Sequence, residues 1–115
     1  ILNPLAIVTT LSPEHERSHL ARGSMDAVGM ADVPVGVGSS GGVGDGIELD
    51  VYGAEYSLPS YCIFESGEKL VYRALKTVPD KSAIILCIAS LSDVCSFMKK
   101  QNFNKIIIFI GVQKV

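Results

Sequence analysis

The amino-acid sequence predicts an α/β fold, in which an open parallel sheet is covered by helices on both faces. Three observations lead to this class. Short apolar, β-branched runs alternate with amphipathic segments along the chain. Helix start and stop signals separate the two kinds of segment, and the resulting order is β-α-β-loop-α-β-α-β. The 115 residues, 48% of them hydrophobic and 19% charged, suffice for one globular domain and not for two.

The first half of the chain reads as strand, helix, strand. Residues 6–10 are short, apolar and β-branched, which predicts a buried strand. Ser12 as N-cap and Pro13 at the first helical position predict a helix start, and Gly29 predicts its end. A second short strand is predicted over residues 33–37. The apolar stripe of the helix is predicted to comprise Leu20, Ala21, Ser24, Met25 and Val28.

A long loop is predicted at about residues 38–60, because this stretch is rich in glycine and has no clear period. Gly36–Gly41 matches the pattern G-x-G-x-x-G, which in dinucleotide-binding domains ends by opening a helix. Further glycines follow Gly41, so a flexible or tightly turning loop is the preferred interpretation, and dinucleotide binding stays as an alternative. The loose acidic group of the loop is interpreted as solvated charge; it comprises Asp45, Glu48 and Asp50.

The second half repeats the alternation. A helix is predicted to start at Ser66 and to stop at Pro79, with a stripe of Leu70, Val71, Ala74, Leu75 and Val78. Residues 82–88 are almost continuously apolar, which predicts a strand buried on both faces. Ser90 and Asp93 form a capping-box pattern before a helix whose predicted stripe comprises Leu91, Val94, Cys95 and Met98. Residues 106–110 are predicted to form the last strand.

Composition narrows the classes of partner. The formal net charge of -2 gives no electrostatic reason to expect nucleic acid or an anionic membrane. Apolar runs fall short of the roughly 20 residues that span a bilayer. The chain has three cysteines, and no two of them form a C-x-x-C pair; they are Cys62, Cys87 and Cys95. We predict that they are buried, reduced thiols. Reduced thiols favour a cytoplasmic location.

His15 and His19 lie four residues apart, a spacing that can bind zinc, but a third ligand is missing and a solvated helix face is preferred.

The chain begins Ile1-Leu2-Asn3-Pro4 and stops at Val115, just past a strand-like run. We therefore expect an incomplete single domain over residues 1–115, with further sequence on each side.

Four segments in order resemble the nucleoside hydrolase family. Residues 6–10 (AIVTT) resemble its second strand, and residues 31–38 (ADVPVGVG) resemble its "dvPVxxG" stretch. Residues 87–94 (CIASLSDV) are similar to the turn usually written "T-G-P-L-T-N-hydrophobic", and residues 109–112 (FIGV) are similar to "M-G-G-x". Order and spacing agree across nearly the whole chain. The resemblance implies a Rossmann-like, nucleoside-hydrolase-like fold.

The resemblance also implies an activity, which is hydrolysis of the N-glycosidic bond of ribonucleosides in purine and pyrimidine salvage. In the intact family Ca²⁺ binds the ribose hydroxyls and activates a water, and an aspartate takes its proton. Carried over residue by residue, the backbone carbonyl of Ile88 would ligate calcium and Phe109 would lie near the ribose. Phe109 replaces the usual methionine, and Ile110 replaces a glycine.

The catalytic part of the family pattern has no match in the chain. Its acidic D-x-D-x-x-x-D-D segment would lie upstream of Ile1, so no catalytic residue is assigned. We expect that the chain alone neither binds calcium nor hydrolyses its ribonucleoside substrate. A non-enzymatic interpretation stays open, in which the domain is an α/β association module whose apolar sheet edge is covered by another chain, a homo-oligomer included. The third interpretation is the dinucleotide-binding domain using Gly36–Gly41.

Overall fold

The structure is a computed structural model that describes residues 3–41, 54–57, 59, 62–89, 91–100 and 103–111, with the backbone alone at 54, 103 and 106–111. The predicted order of helices and strands is confirmed, with two short 3₁₀ helices added. The elements are β1 (Ile7–Thr9), α1 (Glu14–Ala27), β2 (Val35–Val37), a 3₁₀ helix (Ala54–Tyr56), α2 (Gly67–Leu75), β3 (Ala83–Cys87), α3 (Ser92–Lys100), a 3₁₀ helix (Phe103–Lys105) and β4 (Ile106–Gly111).

The strands form two parallel pairs. β1 pairs with β2, with Ile7 opposite Val35, and β3 pairs with β4, with Ile85 opposite Phe109. Each is a two-stranded sheet within the described residues, and one isolated parallel bridge adds Ser66 to the outer edge of β2 at Val37. The α/β class is therefore confirmed, and both strand pairs are parallel, as predicted.

Helices α1 and α2 contact opposite faces of the β1–β2 pair. Side chains alternate along a strand, so Val8 and Thr9 point to opposite faces. Thr9 Oγ1 lies 2.5 Å from Ser18 Oγ of α1. On the other face the backbone of Gly67, the first residue of α2, packs so closely on Val8 that a Cβ at Gly67 would overlap its side chain. This pair is thus covered by a helix on each side.

The core collects side chains from both halves of the chain. Leu70 of α2 is the most deeply buried apolar side chain among the described residues, with 1% of its surface exposed. Burial of such side chains supplies the main stabilising term of the fold. The other buried apolar residues are Val33, Val35, Leu75, Ala83, Cys87, Val94 and Phe97.

The start of α1 differs from the prediction, whereas its end agrees. The N-cap is Pro13 and not Ser12, and the Ser12–Pro13 peptide is cis. Ser12 instead extends the pairing between the segments that follow β1 and β2, because its N–H donates to Ser40 O at 3.2 Å. The carbonyl of Ser12 accepts a hydrogen bond from the Arg17 side chain. Gly29 ends the helix with φ +79°, a conformation that glycine adopts at low cost.

The predicted apolar stripe of α1 is only half-buried at Leu20, Ala21, Ser24 and Met25, and it is wrong at Val28. The buried residues of this helix are Ser18, His19 and Gly23, whereas Val28 is 69% exposed. Small and polar residues face inward because other backbone comes close to the helix there. A Cβ at Gly23 would overlap the carbonyl of Tyr56 in the first 3₁₀ helix.

The start of α2 is as predicted, because the Ser66 hydroxyl accepts the N–H of Lys69 at 3.2 Å. The helix ends at Leu75, before Pro79. Leu70 and Leu75 of its predicted stripe are buried.

Burial of β3 on both faces was predicted and is wrong. Ala83 and Cys87 are buried, but Ile84, Leu86 and Ile88 are 40%, 64% and 76% exposed. These three residues alternate with the buried ones, so one face of the strand packs and the other faces solvent. An uninterrupted apolar run cannot distinguish these two environments.

The buried face of α3 is also shifted from the predicted stripe. Val94 and Phe97 are buried together with Asp93, while Cys95 is exposed. The predicted burial of all three thiols therefore holds for Cys87, is partial for Cys62 and is wrong for Cys95. Among the residues that the structure describes, no helix combines the length and apolar character needed to cross a bilayer.

Candidate functional site at the carboxyl ends of the strands

The segments that follow β1 and β2 stay paired beyond the strands. The N–H of Leu11 donates to Ser39 O at 3.0 Å, and the hydroxyl of Thr10 donates to the same carbonyl at 3.4 Å. Leu11 has φ +77°, a conformation that costs a non-glycine residue about 1–2 kcal/mol. Two loops thus run side by side at the edge where open parallel sheets bind their ligands.

A hydroxyl pair lies below this edge. Thr9 Oγ1 and Ser18 Oγ are 2.5 Å apart, and either can be the donor. Ser18 is fully buried, and when Thr9 is the donor of the pair the Ser18 hydroxyl donates to Glu14 O at 2.9 Å. The pair joins α1 to β1 directly. Every buried side-chain N or O atom that the structure describes has a hydrogen-bond partner.

The carboxylate of Asp93 closes the same edge from the side of α3. Both oxygens accept the N–H of Ser39, at 3.0 and 3.1 Å. Asp93 is buried, and Gly38 leaves the carboxylate its space, since a Cβ at Gly38 would clash with both Asp93 and the carbonyl of Thr9. The first turn of α3 is therefore joined to the exits of β1 and β2.

This contact bears on the glycine motif Gly36–Gly41. In dinucleotide-binding domains the backbone N–H groups of such a loop bind phosphate. Here the N–H of Ser39 already binds a carboxylate, and a phosphate approaching it would meet a like charge. The segment after Gly41, where the motif requires a helix, lies outside the described residues, as does the acidic group Asp45, Glu48 and Asp50.

The two residues carried over from the family lie on the second strand pair. Ile88 directly follows β3, and its side chain is exposed. Phe109 lies in β4, and its Cα pairs with Ile85. Because β3 and β4 are parallel, Ile88 and the end of β4 lie at the same edge of this pair. The side chain of Phe109 is outside the described set.

The described residues do not form a donor set for calcium. The ion requires six to eight oxygen ligands, and the Ile88 carbonyl would supply one. Asp93, the buried carboxylate found at the strand exits, faces the Ser39 N–H with both oxygens. Within the ranges that the structure covers, no group of three or more His, Cys, Asp or Glu residues is placed to hold a metal.

The histidine pair separates into two environments. His15 is exposed, as predicted for a solvated helix face. His19 is buried, which corrects that prediction: its Nε2 lies 2.7 Å from Cys62 O, and its ring meets Phe64 edge-on with centroids 5.2 Å apart. His19 therefore holds the segment before α2 against α1.

Sequence reasoning missed Asp93 as a residue of the strand edge and His19 as an anchor. Asp93 was assigned to the N-terminus of its own helix, because a capping pattern is local and its distant partner at Ser39 is not visible in the sequence. His19 gave no such signal, because it lies outside the predicted apolar stripe of its helix and its partner Cys62 is 43 residues away. No known protein family, no curated protein and no solved structure matches this chain.

Proposed function

We propose that the chain carries part of the scaffold of a nucleoside-hydrolase-like domain, with an open Rossmann-like sheet. One observation supports this proposal above the others. The parallel pairing of β3 with β4 brings the segment after β3, with Ile88, to the edge at which β4 ends. That is the arrangement a ribose-and-calcium pocket at the strand ends requires.

The scaffold alone should not hydrolyse ribonucleosides. Water activation on calcium needs several carboxylate ligands and a general base, whereas both oxygens of Asp93, the carboxylate at the described strand ends, face the N–H of Ser39. The test is to incubate the chain with inosine and uridine, with and without calcium, and to measure free base. We expect none above the blank, and turnover in either substrate contradicts the inactivity.

The scaffold part of the proposal is tested separately by strand direction. Backbone NOEs between β3 and β4 in solution should follow the parallel register, with Ile85 opposite Phe109. Antiparallel NOEs, or Ile88 and Phe109 at opposite ends of the sheet, would remove the basis of the likeness. This measurement does not depend on activity.

A second candidate function is non-enzymatic association, and the exposed face of β3 favours it. Ile84, Leu86 and Ile88 form one apolar row, and monomeric proteins seldom expose large contiguous apolar patches. Sedimentation equilibrium should then show a mass that rises with concentration, and Leu86→Lys should abolish the rise. A monomer at all concentrations contradicts self-association through this face.

A further inference from the structure

Charge is distributed unevenly along the chain. Eight of the twelve Asp and Glu residues lie before residue 57, and eight of the ten Lys and Arg residues lie after it. The small net charge of -2 is therefore the sum of two halves of opposite sign. An asymmetry of this kind indicates a surface that contacts other charged molecules.

The outward face of α2 carries cations and one aromatic ring. Four exposed residues follow one another at spacings of three, one and three positions, which places them on one face of the helix. They are Lys69, Tyr72, Arg73 and Lys76. The Nζ of Lys76 lies 4.0 Å from the centre of the Tyr72 ring, so this cation is held against the helix surface.

The last turn of α3 adds two exposed cations, Lys99 and Lys100, to this side of the molecule. The Nζ of Lys100 lies 3.1 Å from a carboxylate oxygen of Glu68 in α2, which brings the two helices together. Arg73 is paired with Glu65 at 2.8 Å. We call the five cations of α2 and α3 the basic side; they are Lys69, Arg73, Lys76, Lys99 and Lys100.

The other face of the β1–β2 pair is covered by α1, and the exposed charges there are acidic. They lie on α1, in the turn that follows it and in the 3₁₀ helix that contacts it at Gly23. Both arginines of α1 bind backbone carbonyls instead: Arg17 donates to Ser12 O at 3.3 Å, and Arg22 donates to Met30 O at 3.0 Å. We call the exposed carboxylates the acidic side; they are Glu16, Asp26, Asp32 and Glu55.

We infer that the basic side of one copy of the chain binds the acidic side of a second copy. The two sides are complementary in charge, and α1 and α2 lie on opposite faces of the β1–β2 pair, so one copy can use both sides at once. A contact between two different surfaces is heterologous and extends into rings or open chains. The inference rests neither on the likeness to nucleoside hydrolases nor on the apolar row of β3.

The charges favour a second copy over a polyanion as the partner. Nucleic acid would be attracted by the basic side, but the acidic side and the net charge of -2 oppose its approach. A second copy presents the complement of each side. Exposed ion pairs are individually weak, so the contact should be transient and sensitive to salt.

The experiment is sedimentation equilibrium of the complete chain over a range of concentrations. In about 0.01 M salt, where charges act over roughly 30 Å, the average mass should rise with concentration above that of one copy. In about 1 M salt, where this range falls to roughly 3 Å, the mass should return to that of one copy. The salt series on the unaltered chain decides, whether or not every variant folds.

Two matched sets of substitutions then identify the surfaces. The first set removes cations of the basic side and leaves its ion pairs intact; it comprises Lys69→Gln, Lys76→Gln and Lys99→Gln. The second set removes carboxylates of the acidic side; it comprises Glu16→Gln, Asp32→Asn and Glu55→Gln. Each set should weaken association by about tenfold or more. The sets shift the net charge in opposite directions, so a loss in both cannot come from net repulsion. Lys81→Gln removes an exposed cation outside the basic side and should change nothing.

Four outcomes overturn the inference. A single copy at every concentration in low salt does so, and it is also the result if another part of the same chain covers the basic side. Association that persists unchanged in high salt is not electrostatic. Loss of association in one set alone shows that the two sides are not partners. Binding of a thymidine oligonucleotide of about 16 nucleotides to the basic side shows that a polyanion is the partner. The apolar row of β3 is tested in high salt, where this contact is screened, so the two interfaces stand or fail separately.

Discussion

The carboxylate of Asp93 binds the backbone N–H of Ser39 through both oxygens, at 3.0 and 3.1 Å, although the residues are 54 positions apart. This contact joins the start of α3 to the segment that follows β2. A charge-assisted hydrogen bond between buried groups is stronger than a neutral one. Asp93 thereby holds the start of α3 at the edge where β1 and β2 end.

Removal of this carboxylate should destabilise the whole domain. Asp93→Ala leaves the N–H of Ser39 without its partner, and we expect a loss of about 1–3 kcal/mol in the free energy of unfolding, measured by urea denaturation. Asp93→Asn keeps one acceptor oxygen and should lose less. Equal stability of the alanine variant and the unaltered chain would show that this contact contributes nothing.

Gly23→Ala should destabilise the protein, although alanine is the better helix former by about 1 kcal/mol. The added Cβ would overlap the carbonyl of Tyr56, so the first 3₁₀ helix must move away from α1. Thermal unfolding followed by circular dichroism measures the effect. The neighbouring Ser24→Ala is the control and should stay within about 0.5 kcal/mol. A more stable Gly23→Ala variant would contradict the close approach.

The two histidines of α1 should respond differently to the same substitution. His19→Phe keeps a ring against Phe64 but leaves the carbonyl of Cys62 without its partner, which should cost about 1–3 kcal/mol. His15→Phe changes an exposed side chain and should have little effect. Urea denaturation of both variants checks this, and equal losses would contradict the anchoring role of His19.

Substitutions in the exposed row of β3 should be tolerated by the monomer. Leu86→Ser alters a side chain that is 64% exposed, so the free energy of unfolding should change little, measured at a concentration where the chain is monomeric. Leu70→Ala creates a cavity in the core and should cost about 2–5 kcal/mol. If Leu86→Ser proves as costly as Leu70→Ala, β3 is buried on both faces.

The thiols should differ in reactivity. In the folded chain Cys95 is exposed and should react promptly with a disulfide reagent, whereas Cys87 is buried and should react only on unfolding. The time course of thiol modification, with and without denaturant, measures this difference. Cys95→Ser should remove the fast phase, and a fast phase that persists in this variant must come from another thiol.

Local signals in the sequence were sufficient for the order of elements. Residues such as Ser66 and Gly29 act on their own helix ends, so the start of α2 and the end of α1 follow from them directly. The faces of the elements were predicted less well. The apolar run of β3 and the stripe of α1 do not reveal what lies opposite them, and the exposure of Leu86 and the burial of His19 are decided by neighbours far along the chain.

By itself, the sequence determined the α/β class, the succession of strands and helices, the start of α2 and the end of α1, because these depend on interactions between residues a few positions apart. The tertiary structure alone decided the pairing of Ser39 with Asp93, the contact of His19 with Cys62 and the face on which β3 is buried. These contacts join groups separated by many residues. Their partners follow only from how the elements pack, which no short pattern of residue types contains.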